Sequence, residues 1–376
     1  MSSYFQKNNP KRQKLVPDRA SFAKRGLGFG MAAADTVPVI HTLESLKEHL
    51  QIAIELEHST IPPYLCALYT IKEGTNLAAV NAIKSVVIEE MLHMIMAANI
   101  LNAIGGKPQI NTEHFIPKYP GPLIHSSDLF TVNLEKFSES AIDAFLLIEQ
   151  PAPAGAPPQA HDYDSIGQFY KAIMQGLEYV YYDHLKNKKE NIFKKEFYSR
   201  QVTSEQYYGS GGKLVAVYNL EDANLAMDEI VGQGEGIDGT IVDSDAKLFG
   251  EDIEYAHYYK FKEIKCQQAY LPTDSANEPP SGPKLDVDYD AVHHMMKNPK
   301  MKDYKKNPEL YNKAYEFNKT YMALLDNIHH ACNGQPDLLM KGVVLMYDLK
   351  YKAQELLNIP TGKGNEVAGP TFEYVK

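Results

Sequence analysis

Two long helical stretches of this chain each carry a carboxylate in the middle of the face that should be apolar. From Val39 to Ile71 apolar residues recur every three or four positions, the spacing of an amphipathic helix. At 100° per residue, Leu50, Ile54, Ile61, Tyr64, Leu65 and Leu68 all fall within a right angle of Glu57, while Glu55 points away. Leu77 to Ile104 repeats the pattern about Glu90, gathering Ile83, Val86, Val87, Met94, Ala97, Leu101 and Ile104, with His93 one turn on. A charged side chain is almost never fully buried unless it is paired or bound to metal. Two carboxylates on facing helices also repel. Whatever this chain folds into must neutralise them.

The punctuation between these stretches predicts a mainly α fold. Thr42 is one candidate N-cap of the first helix, with Glu44 in its first turn; Ser45 with Glu48 is the other, as an S-x-x-E capping box. Pro62 and Pro63 should interrupt and kink that helix. Gly105-Gly106 ends the second, where a left-handed C-cap suits glycine. The two form an antiparallel pair. Further helices are expected at Ser138–Ile148, Ser165–His184, Glu221–Gly234, Asp252–Ala269, about Glu309–Cys332 and Pro336–Leu357. The expected organisation is a basic N-terminal extension (1–38), a helical domain (39–358) with insertions at 107–135 and 186–218, and a C-terminal tail (359–376) packed on the body. The stretch 190–218 is irregular, with room for short strands.

A second E-x-x-H pair, Glu254 and His257, matches Glu90 and His93. Between them, Glu229 and Glu235 both lie more than about 100° from the apolar face of Ala223, Ala226, Met227 and Ile230, so periodicity does not choose between them. Glycines at 232 and 234 let the helix distort and turn Glu235 inward. One Glu from each of two helices plus an E-x-x-H from each of two others is the ligand set of a di-iron or di-manganese carboxylate bundle. Imidazole with carboxylates suits iron or manganese better than a soft metal. The competing reading is buried Glu/His hydrogen-bond pairs without metal. GLGFG (26–30) and GQGEGIDG (232–239) follow no strand and are not dinucleotide loops. Leu248 occupies the glycine position of a calcium loop that Asp243, Asp245 and Glu254 would otherwise suggest.

Composition narrows the partners. There are 38 basic and 48 acidic residues, a net charge of −10, and seven of the basic ones fall in the first thirty residues, so the body is more acidic still. Nucleic acid is therefore an unsuitable main partner. Three cysteines (Cys66, Cys266, Cys332), far apart, argue against a disulfide framework and fit a reducing compartment. No run approaches the roughly 18 apolar residues of a membrane span, and the first residues lack the apolar core of a secretory signal. A cytoplasmic location without membrane contact is expected.

The segments ELEHSTIPPYLCALYTI (55–71), IEEMLHMIMAANILNAIGG (88–106), IVGQGEG (230–236), AHYYKF (256–261), EFNKTYMALLDNIHHACNG (316–334) and AGPTFEY (368–374) together resemble the ferritin-like family that includes the iminophenylpyruvate and indolepyruvate imine dimer synthases of bisindole biosynthesis. The likeness runs from about residue 40 to the C-terminus and is weakest over 107–215. It implies a ferritin-like four-helix bundle with additional helices, and the metal ligands Glu57, Glu90, His93, Glu235, Glu254 and His257, favouring Glu235 over Glu229. The expected function is a di-iron (or di-manganese) oxidoreductase or oxygenase of specialised, secondary-metabolite biosynthesis. It would use O₂ on a small aromatic or amino-acid-derived metabolite, with oxidative imine coupling and non-storage iron binding as alternatives. Tyr64, Tyr170, Tyr258 and Tyr259 are candidates for the pocket lining. The electron donor is not specified, and the expected assembly is a small oligomer such as a homodimer.

Overall fold

A computed structural model of the chain describes residues 37–127, 130–207, 211–236 and 239–376. The basic segment expected at the N-terminus lies, up to residue 36, outside the described residues. The first helix, α1 (Leu43–Thr70), starts at Thr42, whose hydroxyl accepts from the Ser45 N–H, so Thr42 rather than Ser45 is the cap. Helix α1 continues without a break through Pro62 and Pro63. Each proline removes a backbone N–H and leaves a carbonyl one turn earlier without its donor. The Tyr119 hydroxyl, from a later segment, donates to Ser59 O at 2.6 Å and fills the gap that Pro63 leaves. Ser59 and Thr60 add back-bonds to Leu56 O and Glu57 O, both at 2.7 Å.

Helix α2 (Leu77–Ala103) returns after a short turn and packs along α1 as a hairpin. It ends in the glycine cap expected of it: Gly105 adopts φ +81°, and the Gly106 N–H reaches Leu101 O. By length and composition α2 is apolar enough to cross a membrane, but 89% of its most apolar window is buried inside the protein. The other long elements are α3 (Glu139–Ile148), α4 (Ile166–Asp183), α5 (Leu220–Glu235), α6 (His257–Cys266), α7 (Pro308–Cys332) and α8 (Leu338–Leu357). Ser138, Ser165, Asn219 and Asn307 cap α3, α4, α5 and α7 with side-chain oxygens, which is why the sequence marks those starts clearly. Helices α1 to α6 surround one interior, and α7 and α8 form an outer hairpin against α1 and α2. Residues 367–372 include buried Ala368, Thr371 and Phe372, with Asn318 donating to Thr371 at 2.7 Å.

Besides the expected interruption at Pro62 and Pro63, two further expectations are corrected. Helix α6 begins at His257 rather than near 252, because Glu254 and Tyr255 are drawn into extended pairing: Val242 bridges Tyr255, and the Asp243 N–H bonds Glu254 O. The 186–218 insertion holds a π turn (His184–Lys188) and a 3-10 turn (Lys195–Arg200); among the described residues there are isolated bridges but no strand.

The role of Tyr119 gives a stability prediction. Tyr119→Phe keeps the ring and leaves the carbonyl of buried Ser59 without a donor, which should lower the unfolding free energy by about 1–3 kcal/mol in chemical denaturation. An unchanged midpoint would mean the proline gap needs no filling.

Candidate metal centre

Inside the bundle, five ionisable side chains meet at exposures between 0% and 4%: Glu57 of α1, Glu90 and His93 of α2, Glu149 at the C-cap of α3, and His257 opening α6. Glu57, Glu90 and His93 each bring one donor atom to within 4.8 Å of the other two, and Glu90, Glu149 and His257 do the same. The two triads share Glu90. Its Oε1 lies 2.9 Å from His257 Nδ1 and 3.7 Å from His93 Nδ1, while Glu57 Oε2 is 3.5 Å from His93 Nδ1 and Glu149 Oε2 is 3.3 Å from His257 Nδ1.

The outer side of each ligand is held by a defined partner. Gln233 gives its amide N–H groups to Asp245 Oδ1 and Gly211 O, so its Oε1 must face His93 Nε2, 2.7 Å away. His93 Nε2 is therefore the protonated nitrogen, which turns Nδ1 toward the carboxylates. His257 does the same with Glu89, whose Oε2 accepts from Nε2 at 2.7 Å. This pattern, one ring nitrogen fixed by an acceptor and the other free to coordinate, is that of metal-binding histidines. Tyr170 donates to Glu57 at 2.5 Å, Thr60 donates to Glu90 at 2.8 Å, and Tyr64 donates to Glu149. Burial, then the adjacent carboxylates, push both phenols well above their ordinary range, so they stay protonated donors.

Electrostatics set these neighbours apart. Burial and repulsion from Glu149 and Glu57 push Glu90 up to about 8 against the pull of His257. For His257, burial works downward but is outweighed by the surrounding carboxylates, which hold the imidazolium well above its usual range. Glu89, one residue from Glu90, is buried too. There Lys260, at 2.8 Å, and His257 override burial and hold the carboxyl far below the usual carboxylate range.

The remaining sequence-derived candidates fall in different places. Glu235 ends α5 beside the cluster and accepts from the Gly167 N–H at 2.9 Å, lining the same small cavity as Glu57, Glu90, His93 and Glu149. Glu254 is not brought to the cluster: its side chain is 48% exposed and accepts from Lys260 at 3.1 Å. The position expected of it beside His257 is taken by Glu149, which ends α3 and carried no sequence signal, since it follows an apolar run and belongs to no E-x-x-H. Glu229 faces away into a separate buried acidic group, with Ser244 donating to its Oε2 at 2.7 Å. Burial and Asp245 push it up to about 10. Tyr64 and Tyr170 touch the cluster, whereas Tyr259 packs with Ile241, Ala256 and Tyr270 in a second, smaller apolar group against which Tyr258 rests.

A divalent metal bound at about 2.1 Å holds its ligand atoms up to about 4 Å apart, the scale of both triads. Carboxylates with imidazole suit iron or manganese. The donor set therefore fits metal: Glu57, Glu90 and His93 could hold an ion as one group, and Glu90, Glu149 and His257 as another. The adjoining cavity is about 20 Å³, walled by Ile148, Ile166, Ile230 and Val231. That is room for a water-sized molecule.

Comparison with known proteins bears on the family and the fold. A sequence model of the family described as Ferritin-like matches residues 50–266, more than half of the chain. Dichlorochromopyrrolate synthase from Lentzea aerocolonigenes is 22% identical over 331 residues, covering 80% of this chain and 30% of that protein. The chain thus spans less than a third of that relative's length. A solved ferritin-like protein from Caulobacter vibrioides has a TM-score of 0.55 at 21% identity, covering 84% of this chain and 96% of the other, a likeness of fold.

Two outcomes test the geometry. Glu149→Ala should lose at least one metal per chain by elemental analysis, whereas Glu254→Ala should retain the wild-type content; the reverse would restore the helical E-x-x-H pairing. Because Glu90 and His257 are both held above their usual ranges and must both shed protons to coordinate, Fe(II) or Mn(II) affinity should climb with pH through and above the neutral range, with proton release visible by calorimetry in buffers of different ionisation heat. A flat profile from pH 6 to 9 would contradict the site.

Proposed function

The chain belongs to the ferritin-like family, and from that premise and the shared-carboxylate geometry we propose that it is a non-haem oxidoreductase with two iron ions per chain, manganese being the alternative. It uses O₂ to oxidise a small metabolite of specialised metabolism, aromatic or derived from an amino acid. The observation that carries this reading is the pair of buried donor triads joined at Glu90, each with a histidine presenting Nδ1. Two iron ions there supply the reductive activation of O₂; Glu57, Glu90, His93, Glu149 and His257 hold them, and Glu235 stands at the cavity edge.

The protein's own groups confine the chemistry. Tyr170 and Tyr64 keep Glu57 and Glu149 hydrogen-bonded and aimed inward. The apolar walls and the cavity of about 20 Å³ keep bulk water away from the reacting atoms while admitting a diatomic molecule. Exposed Gln150 and half-buried Glu235 line the cavity's solvent side, so an organic substrate approaches between them. Oxidative coupling of an imino acid is the second reading, favoured by the similarity to dichlorochromopyrrolate synthase. A cytoplasmic, small-oligomer enzyme suits either reading.

The deciding measurement is metal content of protein from iron-supplemented cells, followed by O₂ uptake during a screen of aromatic and amino-acid-derived compounds. Two irons per chain, lost in Glu90→Ala and in His257→Ala, with O₂ consumed only in the presence of particular metabolites, would support the proposal. Wild-type protein that neither contains nor takes up Fe(II) or Mn(II) would sink it.

A further inference from the structure

On the side of α1 opposite Glu57, two residues away in each direction, Glu55 and Ser59 border a second and larger cavity of about 270 Å³. His114, residues 116–119 and 122–125, and Val132 complete its lining. An apolar cavity of roughly 150 Å³ already admits benzene, so this one has room for a ring and a short chain. Ile116, Leu123 and the Tyr119 ring give it buried apolar walls.

The polar groups are segregated by depth. Glu55, only 9% exposed, is the sole carboxylate of the lining; its Oε1 accepts from Gln51 at 3.0 Å, and among the described residues Oε2 has no donor. Lys118, His114 and His125 are exposed at the rim, and among the described residues none has a hydrogen-bond or ion-pair partner. With one oxygen accepting from Gln51 and the other without a protein donor, this carboxylate can still take an ammonium group. Three nitrogen-bearing side chains around the mouth favour an anion.

We propose that this cavity binds a free α-amino acid with an apolar side chain. Its ammonium bonds Glu55 Oε2, its carboxylate meets Lys118 and the rim histidines, and its side chain lies against Ile116, Tyr119 and Leu123. The site is separate from the metal centre and does not depend on the function proposed for it.

L-phenylalanine titrated into the full-length protein by calorimetry tests this. The expected result is one molecule per chain, with phenethylamine (no carboxylate) and 3-phenylpropionate (no amine) each at least about tenfold weaker. Glu55→Gln should weaken phenylalanine binding about tenfold or more. Lys118→Ala, a change at the exposed rim that leaves the fold undisturbed, should do so even if the Glu55 variant proves unstable. Glu90→Ala should bind phenylalanine like the wild type, which separates this site from the metal centre. No binding at about 1 mM, or binding indifferent to Glu55 and Lys118, would overturn the proposal, as would phenethylamine binding as tightly as phenylalanine.

Discussion

Like charges a few ångströms apart repel by about 4 kcal/mol per pair even at an effective dielectric of 20, and the interior of this bundle holds Glu57, Glu89, Glu90, Glu149 and Glu229 at exposures of 0–4%. Lys260 brings a positive charge to one of the five, Glu89. Every other carboxylate is steadied on its outer side by a neutral donor: Tyr170 for Glu57, Thr60 for Glu90, Tyr64 for Glu149, Ser244 for Glu229. Neutral donors satisfy lone pairs without cancelling charge. The inner side of the cluster is left to the two imidazoles, and a site built in this way is stable as a set of anions only when cations lie between them.

That constraint explains which parts of the architecture could be read from the sequence. The helices with polar caps and an apolar period were legible almost to the residue, and so were the inward Glu57, Glu90 and His93, because a carboxylate on an apolar stripe is conspicuous at 3.6 residues per turn. Glu149 was not legible. It sits one residue past the end of α3, at backbone angles outside the helix, where no periodicity argument assigns a direction. Glu254 misled for the mirror-image reason: E-x-x-H places two side chains on one face only if the intervening residues are helical, and Ala256, at ψ 158°, is extended. A motif defined by helical spacing carries its meaning only inside the helix.

Close approach, not turn geometry, fixes one glycine at the site. An ideal Cβ on Gly167 would stand 2.1 Å from Glu235 Oε1, so the bare backbone lets that carboxylate take the Gly167 N–H near the start of α4. An N–H in the first turn of a helix has no partner within the helix and favours an anion. Burial still pushes the Glu235 carboxyl above its usual range. The carboxylate at the solvent side of the cavity is thus tied to backbone, while those deeper in are tied to side chains.

Glu89 and Glu90 show how much environment decides. They are neighbours in the chain, chemically identical and both buried, yet one carboxyl is held far below the usual range and the other is pushed up to about 8. The difference is a rotation of 100° about α2. It turns Glu89 toward the Lys260 ammonium and Glu90 toward two other carboxylates. Because Glu89 is a fixed anion it can grip His257 Nε2, and that grip presents Nδ1 to Glu90 and Glu149. The same dipeptide therefore supplies the carboxylate common to both triads and the group that orients His257. Replacing Glu89 would disturb the cluster without removing any member of either triad, since a freed His257 ring has no reason to keep Nδ1 inward.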